Sequence, residues 1–374
     1  MKSKFVTFIL IILTILLLAG IVFFAWAIYT DLFYTDAVET IHTSDNTIIV
    51  DNGSQQNAQK EKKSFKDSVV SFFTDSDEKE TTYSSNSSSG KFFYEQLNEN
   101  QKIIYNGLQE NKDKLITGTH IIEYGNKFHE ILSTENGNEV LADDYQTAIE
   151  AFTHDNPDLF YLNVTKMYLN METKKKAFKT TYNVFISPEE GENYYAQGFN
   201  SEKDVIVAIK KIEQERDLVK SKLTGSTYKD IKIIHDYLVD NLVYDENNES
   251  IGTYSIYGAL VDKKCVCEGY TRAFKYLADI AGINCVLIQG TATNTEGKTE
   301  KHAWNAVYLN GFWYLIDTTW DDPIIVGKGI VLASTHYKYF LKGSKTFNKD
   351  HIENRQFSEG GKQFEYPKIS ELDY

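Results

Sequence analysis

The chain has 374 residues, a formal net charge of −14, 42% hydrophobic side chains and three cysteines. This charge excludes a nucleic-acid partner, because proteins that bind polyphosphates do so through clustered Lys and Arg. Three cysteines are too few for a disulfide framework or for a zinc site made of four thiolates. The length predicts about two domains after any targeting segment.

The first predicted element is the uncharged run Phe5–Thr30. At about 1.5 Å per residue, such a helix can cross a hydrocarbon core of roughly 30 Å. Lys2 and Lys4 precede it, and acidic residues follow it. The positive-inside rule therefore predicts a signal-anchor transmembrane helix over residues 1–30, in a single-pass cell-membrane protein with its main part extracellular. The alternative is a signal peptide cleaved near Ala25-Trp26-Ala27.

Residues 31–91 are polar and repetitive, and they include the serine-rich stretch Tyr83–Gly90. A segment of this composition cannot bury enough apolar surface to offset the entropy lost on ordering. Residues 31–91 are therefore predicted to be a disordered polar stalk, and folded structure is expected to begin near Phe92.

Residues 92–226 show alternating helix and strand patterns and are predicted to form a smaller α+β region. Asn98 with Gln101 at the third helical position resembles a capping box. The further elements predicted here are a helix over Ala142–His154, strands around Lys166–Asn170 and Thr180–Ile186, and a long helix that opens at Ser201.

Residues 227–374 open with a predicted helix over Tyr228–Leu242, which carries His235 on its apolar stripe. A lone histidine at such a position is interpreted as a buried residue with satisfied hydrogen bonds. The next predicted helix starts around Cys267 and ends before Gly282, a residue that fits the left-handed position after a helix.

Cys267 is predicted to lie in the first turn of that helix. The free N–H groups and the positive end of the helix dipole favour a thiolate there, and the thiolate is the nucleophilic form. The alternative is a buried, inert cysteine. The neighbouring Cys265 is interpreted as passive, with a regulatory role as the alternative. A Cys265–Cys285 disulfide is not expected, because the two residues flank opposite ends of one helix.

Asn310-Gly311 separates two strand patterns and predicts a type I′ hairpin in which Leu309 pairs with Phe312. In this register four side chains project from one face of the ribbon: His302, Trp304, Asp317 and Thr319. Asp317 is diagonal to His302, close enough for a hydrogen bond that would orient the imidazole. Taken singly, His302 could be a core residue and Asp317 could cap a turn.

Three segments resemble the transglutaminase-like superfamily, best its exported and membrane-anchored bacterial members. They are Val266-Cys267-Glu268-Gly269-Tyr270, His302-Ala303-Trp304-Asn305 and Ile316–Pro323. The resemblance implies an α+β, papain-like core over residues 227–374, with the nucleophile helix packed on an antiparallel sheet. It also implies a Cys-His-Asp triad: Cys267 as nucleophile, His302 as general base and acid, and Asp317 as the orienting acid.

The function expected from this resemblance is that of a surface-exposed transglutaminase-like thiol acyltransferase or cysteine protease. Its substrates would be proteins or peptides at the cell surface, attacked at Gln side-chain or peptide amides through a thioester. The Cys267 N–H would form part of the oxyanion hole, with Tyr254 or Tyr257 as candidate side-chain donors. No cofactor or metal is expected, because ligands at metal-site spacing and a Gly-rich phosphate loop are not found in the sequence.

Two other functions remain open at this point. The same fold could serve as a non-catalytic binding or scaffold module at the cell surface, although such a role does not require Cys267, His302 and Asp317 together. The chain could also be a cell-wall peptide hydrolase, which fits the expected location but not the motif surroundings usual for those amidases.

Overall fold

The computed structural model describes residues 16, 19–23, 37–44, 47–52, 91–176, 179–322, 335–355 and 363–374. Of the predicted membrane segment Phe5–Thr30 only residues 16 and 19–23 are described, and most of the predicted stalk, residues 31–91, lies outside the described residues. Among the described residues, no helix combines the length and the apolar character that a membrane span needs. The chain divides into two compact units.

The first unit comprises Ile121–Ala142, Tyr168–Ser187 and the described part of Met1–Ser54. Its strands are β1 (Ala37–Ser44), β2 (Thr47–Asn52), β3 (Ile122–Gly125), β4 (Tyr168–Lys176) and β5 (Lys179–Ser187), with a short helix over His129–Leu132. The strands form one sheet in the order β2-β1-β4-β5-β3, and every neighbouring pair is antiparallel.

Strands β1 and β2 correct part of the stalk prediction. Both lie within residues 31–91, yet they pair with each other, and β1 also pairs with β4. Their sequences contain β-branched runs such as Ile48-Ile49-Val50, which favour strands. These short runs are hidden when composition is averaged over the long polar segment around them.

The second unit comprises the described residues of Gln55–His120, Asp143–Met167 and Pro188–Tyr374. Its strands are β6 (Val243–Tyr244), β7 (Lys264–Cys265), β8 (Cys285–Thr293), β9 (Thr299–Leu309), β10 (Phe312–Ile316) and β11 (His351–Glu353). Four of them form an antiparallel sheet in the order β10-β9-β8-β11, and β6 pairs in parallel with β7.

Most predicted helices are present, with bounds shifted by a few residues. Besides the short helix over His129–Leu132, the α-helices formed by the described residues include α1 (Glu99–Glu110), α2 (Gly137–Asp155), α3 (Glu202–Lys220), α4 (Thr227–Asn241), α5 (Cys267–Ile280), α6 (Thr318–Asp321) and α7 (Ser344–Phe347). Short 3-10 turns cover Tyr94–Gln96, Lys112–Thr117, Val164–Lys166 and Thr335–Tyr337, and a π-helical turn covers Gly258–Asp262. The predicted capping box of Asn98 and Gln101 is confirmed, and the Ser201 side chain caps α3.

The predicted division between residues 92–226 and 227–374 differs from the division that the structure shows. Much of the first stretch belongs to the second unit, where it packs with the later part of the chain. For example, the Arg272 guanidinium of α5 donates a hydrogen bond to the Thr153 carbonyl of α2. Such long-range contacts are not visible in local composition. The predicted domain boundary therefore lies at the start of a helix instead.

Helix α5 packs on β8 and β9 through a buried stripe that includes Tyr270, Phe274 and Leu277. The hairpin of β9 and β10 has the predicted register, with Leu309 paired to Phe312. Asn310 and Gly311 both have positive φ, 52° and 92°, as a type I′ turn requires. The expected α+β arrangement of a helix on an antiparallel sheet is therefore present.

Candidate active site

Cys267 is the first residue of helix α5, directly after the N-cap residue Val266. The backbone around Cys267 is closely packed. Val266 N–H donates to the Thr253 carbonyl. Gly269 has no space for a side chain, because a Cβ there would lie 2.5 Å from the Cys265 Cβ. As first residue of a helix, Cys267 has a backbone N–H without an intrahelical acceptor. Its side chain is half-buried, and the chain therefore presents it at the positive end of the helix.

His302 projects from β9, with its ring buried between two tryptophans, Trp304 and Trp320. Its Nε2 lies 2.7 Å from Asp317 Oδ2, so the predicted diagonal hydrogen bond is confirmed. Cys267 also interacts electrostatically with the ring. Because Nε2 faces Asp317, Nδ1 is the nitrogen that remains for Cys267.

Asp317 lies just beyond β10, which ends at Ile316, and forms the N-cap of α6. Its Oδ1 accepts hydrogen bonds from the backbone N–H groups of Thr319 and Trp320 at 3.0 and 3.1 Å. The predicted placement of Thr319 opposite His302 is wrong, because the helix starts before the ladder reaches that position. Asp317 therefore combines the two roles that the sequence presented as alternatives: it caps a turn and it contacts His302.

The His302–Asp317 pair is charged. Burial lowers the pKa of His302, but the Asp317 carboxylate, aided by Cys267, outweighs burial and raises the pKa to about 10. Burial raises the pKa of Asp317, and the rings of His302 and His351 outweigh it and hold the pKa well below its usual range. Close to neutral pH the imidazole therefore keeps its proton beside a carboxylate, the arrangement that stabilises a thiolate partner.

His351 is a residue of this cluster that sequence reasoning missed. It lies on the short edge strand β11, and its Nε2 is 3.1 Å from Asp317 Oδ2 while its Nδ1 is 2.7 Å from Asp350 Oδ1. No motif surrounds it, and only the pairing of β11 with β8 brings it to the site. Its position has no local sequence signal that could have revealed it.

His302, Asp317 and His351 are also residues that could hold a metal ion, because their ligand atoms lie within 4.8 Å of one another. The sequence shows no metal-site spacing, since these residues come from three separate segments. Each of the atoms concerned already takes part in the hydrogen bonds around Asp317 Oδ2. A metal ion would have to replace the protons that make those bonds.

His235 is a buried histidine with satisfied hydrogen bonds, as predicted. Its Nδ1 lies 3.1 Å from Asp236 Oδ1 and its Nε2 lies 3.1 Å from Asp321 Oδ2. Asp321 is fully buried and also accepts the Tyr339 backbone N–H at 2.8 Å. Asp321 therefore connects α6 to helix α4 and to the segment around Tyr339 by hydrogen bonds.

Tyr244 interacts electrostatically with Cys267. It sits on β6 opposite Cys265 of β7, two residues before Cys267 in the chain. The other two candidate tyrosines have different partners: Tyr254 donates to the Asn248 side chain, and Tyr257 packs against aromatic rings. Tyr244 is therefore a further candidate donor to a group bound at Cys267.

A cleft of about 560 Å³ opens beside the start of α5. Glu268, the residue after Cys267, and Arg272, one turn further along, form part of its wall and are joined by a 2.8 Å ion pair. The rest of the wall is mixed, with amide side chains such as Asn156 and Gln197 and apolar ones such as Phe199. A cleft of this volume is large enough for a short peptide segment.

The sequence profile of the transglutaminase-like superfamily matches residues 216–318, the stretch that contains Cys267, His302 and Asp317. The chain carries a transglutaminase-like domain. The match begins within helix α3 and ends at the start of α6. The resemblance seen in the sequence motifs is thereby confirmed at the level of the superfamily.

Two curated relatives of the transglutaminase-like domain are the kyphoscoliosis peptidases of Mus musculus and Homo sapiens. Each is 34% identical to this chain, over 105 and 101 residues respectively. The matched segment covers 24% of this chain but only 15% of each relative's length. The likeness is therefore one of a single domain.

Among solved structures, partial likenesses include one described as a TGase and a putative cysteine protease from Cytophaga hutchinsonii. The first is 18% identical, with a TM-score of 0.28, and the alignment covers 46% of this chain and 48% of the other. The second is 13% identical, with a TM-score of 0.25, and the alignment covers 41% and 57%.

Proposed function

We propose that the transglutaminase-like domain is a thiol enzyme that transfers or hydrolyses acyl groups at Gln side-chain or peptide amides of protein substrates. The observation that carries this proposal is the line of contacts from Cys267 through His302 to buried Asp317, with 2.7 Å between Nε2 and Oδ2. A binding module would not need a charged histidine between a helix-terminal thiol and a buried carboxylate. Covalent catalysis of this kind requires a nucleophile, a base that acts on the nucleophile, and an acid that orients the base through a hydrogen bond.

In the first half of the proposed reaction, Cys267 Sγ attacks the carbonyl carbon of the amide, and the carbonyl oxygen takes the negative charge. The C–N bond then breaks as His302 gives its Nδ1 proton to the leaving nitrogen, which departs as ammonia or an amine. A thioester on Cys267 and a neutral imidazole remain. Asp317 stays ionised and keeps Nε2–H oriented throughout.

In the second half, an amine or a water molecule enters where the first amine left. His302 removes a proton from it through Nδ1 as its nitrogen or oxygen attacks the thioester carbon, and the C–S bond breaks. Cys267 leaves as a thiolate beside the imidazolium, which restores the starting pair. An amine gives a cross-link, whereas water gives deamidation or proteolysis.

The oxyanion in both halves would be stabilised by donors aimed at the carbonyl oxygen. The Cys267 backbone N–H at the start of α5 is one such donor, and the Tyr244 hydroxyl is our candidate for the second. The cleft beside Glu268 and Arg272 would hold the polypeptide that flanks the attacked amide. Its mixed lining fits a peptide better than a small apolar ligand.

The test of this proposal uses dimethylated casein, whose lysines cannot act as amine donors, together with a biotinylated alkylamine. Acid quenching followed by intact-mass analysis should reveal an acyl adduct that maps to Cys267. The Cys267→Ala protein should show no adduct and should lose turnover by a factor of about 10⁴ or more. Cys285→Ala, which removes a buried thiol of β8, is the matched control and should retain both.

The products distinguish the possible activities. Amine incorporation supports transfer, ammonia without incorporation supports deamidation, and new amino termini support proteolysis. Release of peptides from purified cell wall, with casein untouched, would favour the cell-wall hydrolase. If parent and Cys267→Ala were equally inactive on all of these substrates while binding them equally, the non-catalytic alternative would be preferred.

We further propose that the enzyme is anchored in the cell membrane through Phe5–Thr30, with its catalytic region outside. Support comes from the uncharged run and from the lysines that precede it. An external location would give the thiol enzyme access to surface proteins as substrates.

This topology predicts that protease added to intact cells removes the region from Phe92 to Tyr374. A cytoplasmic marker protein provides the control for cell integrity and should remain intact. Complete protection in intact cells, followed by digestion after lysis, would refute the outward orientation. A protein found only in the culture medium would instead indicate that Phe5–Thr30 is a cleaved signal peptide.

A further inference from the structure

His351 occupies a position that the Cys-His-Asp arrangement does not require. Its ring is almost completely buried, 1% exposed, on edge strand β11. It packs against Phe347 with 4.1 Å between ring centroids and against Trp304 and Trp320 at 5.1 and 4.7 Å. Such packing leaves the ring a single orientation, so its two nitrogens point at fixed partners.

Both nitrogens of His351 face carboxylates. Nδ1 lies 2.7 Å from Asp350 Oδ1, and Nε2 lies 3.1 Å from Asp317 Oδ2. A carboxylate only accepts hydrogen bonds, so both contacts are satisfied together when the ring carries both protons. The geometry therefore places the His351 ring as a bridge between the two acids. Asp350 is itself held by the Tyr339 hydroxyl at 2.8 Å.

The Asp317 oxygen that accepts from His351 is the same oxygen that accepts from His302. The other oxygen is occupied by the backbone N–H groups of Thr319 and Trp320. His351 therefore supplies a side-chain donor on the far side of the orienting carboxylate. It competes directly with His302 for the negative charge of one oxygen.

We propose that His351 is a positioning residue of the active site, which holds Asp317 in place and moderates its attraction for the His302 proton. The inference rests on the proposed function, since it assigns His351 a role in that same site. Without His351, one oxygen of Asp317 would bond to His302 alone and its charge would act there undivided. His302 would then hold its proton more strongly, and the carboxylate would have one restraint fewer.

Few charged groups act on the hydrogen bond between His302 and Asp317. His302 faces Asp317 and Cys267, and Asp317 faces His302 and His351. Asp321 and Tyr339 also interact electrostatically with Asp317. Of these groups, only His302 and His351 donate from side chains to Asp317. Removing His351 should therefore strengthen the hold of Asp317 on the His302 proton and not weaken it.

The test follows the rate of Cys267 alkylation by iodoacetamide against pH in the full-length chain, read by intact mass. The parent should show an upper inflection from loss of the His302 proton, whose pKa Asp317 raises. In His351→Phe the upper inflection should move to higher pH by about one pH unit, because one charged hydrogen bond to Asp317 is lost. Turnover should fall by about 10- to 100-fold. His351→Gln, which keeps one donor, should recover part of both.

The matched control is His235→Phe, because His235 is also fully buried between two carboxylates but has no contact with Asp317. It should lower the melting temperature and leave the upper inflection in place. If His351→Phe does not fold, Asp350→Asn, which removes the acid facing Nδ1, should move the inflection in the same direction.

The outcomes separate this inference from the proposed function. A folded His351→Phe or Asp350→Asn protein with the parent's profile would overturn the role of His351 and leave the triad standing. A parent protein whose alkylation profile lacks the upper inflection from His302 would overturn the triad and this inference with it.

Discussion

Asp317→Asn is expected to lower turnover by up to about 10⁴-fold in a protein that still folds. The asparagine oxygen can take over Oδ1, which accepts from Thr319 and Trp320. Its NH2 group would then replace Oδ2 and confront the N–H groups of both His302 and His351. To avoid this clash the His302 ring must move its proton to Nδ1, the nitrogen that faces Cys267. That tautomer cannot accept the thiol proton.

The same change should also reduce stability, by about 1–3 kcal/mol, because a buried donor would be left without an acceptor. Loss of stability alone is therefore no argument for a purely structural Asp317. The measurement must be turnover per folded molecule, with thermal unfolding recorded beside it.

Asp321→Asn is the matched control. Asp321 is the last residue of the short helix that Asp317 caps, and both carboxylates are fully buried. Asp321 is hydrogen-bonded to His235 and to the Tyr339 backbone N–H. We expect its replacement to destabilise the fold but to change turnover per folded molecule by less than about tenfold, roughly 1.4 kcal/mol of barrier. Near-normal turnover in folded Asp317→Asn, or equal losses in both variants, would contradict the orienting role of Asp317.

The hairpin that leads to Asp317 shows which contacts of the site a sequence pattern can predict. The turn Asn310-Gly311 predicts the strand register, and the ladder follows it as far as Asn305 opposite Ile316. Beyond Ile316 the chain turns into α6, because the Asp317 side chain satisfies the first N–H groups of a helix. The predicted pairing of Thr319 with His302 lies three pairs beyond the end of the ladder and does not form, whereas the contact between His302 and Asp317 is present.

Residues that reach the site through tertiary packing alone could not be predicted. His351 lies on a strand of three residues at the sheet edge, without periodicity or a motif around it. The burial of Asp321 depends likewise on His235 and Tyr339, which come from distant segments. By contrast, the position of Cys267 at a helix start follows from local sequence, because the apolar stripe from Tyr270 onwards and Gly282 bound that helix.

Cys267 is expected to be the only one of the three cysteines that reacts rapidly with a limiting electrophile. Cys265 and Cys285 are free thiols but are buried, with 0% and 1% exposure, whereas Cys267 is half-buried. Burial also raises the pKa of the Cys265 and Cys285 thiols, which removes their reactive thiolate form near neutral pH. Cys267 alone combines access with a helix N-terminus and a histidine partner.

Limiting iodoacetamide at neutral pH should therefore add one label per molecule, located at Cys267 by peptide mass. Cys267→Ala should abolish this label, while Cys265→Ala and Cys285→Ala should each retain it. His302→Gln adds a test of cause: if the charged imidazole activates Cys267, labelling should be slower than in the parent by a factor that changes with pH. Slowing by the same factor at every pH would mean that His302 only shapes access to Cys267. Equal labelling of Cys267→Ala and the parent would show that the reactive thiol lies elsewhere.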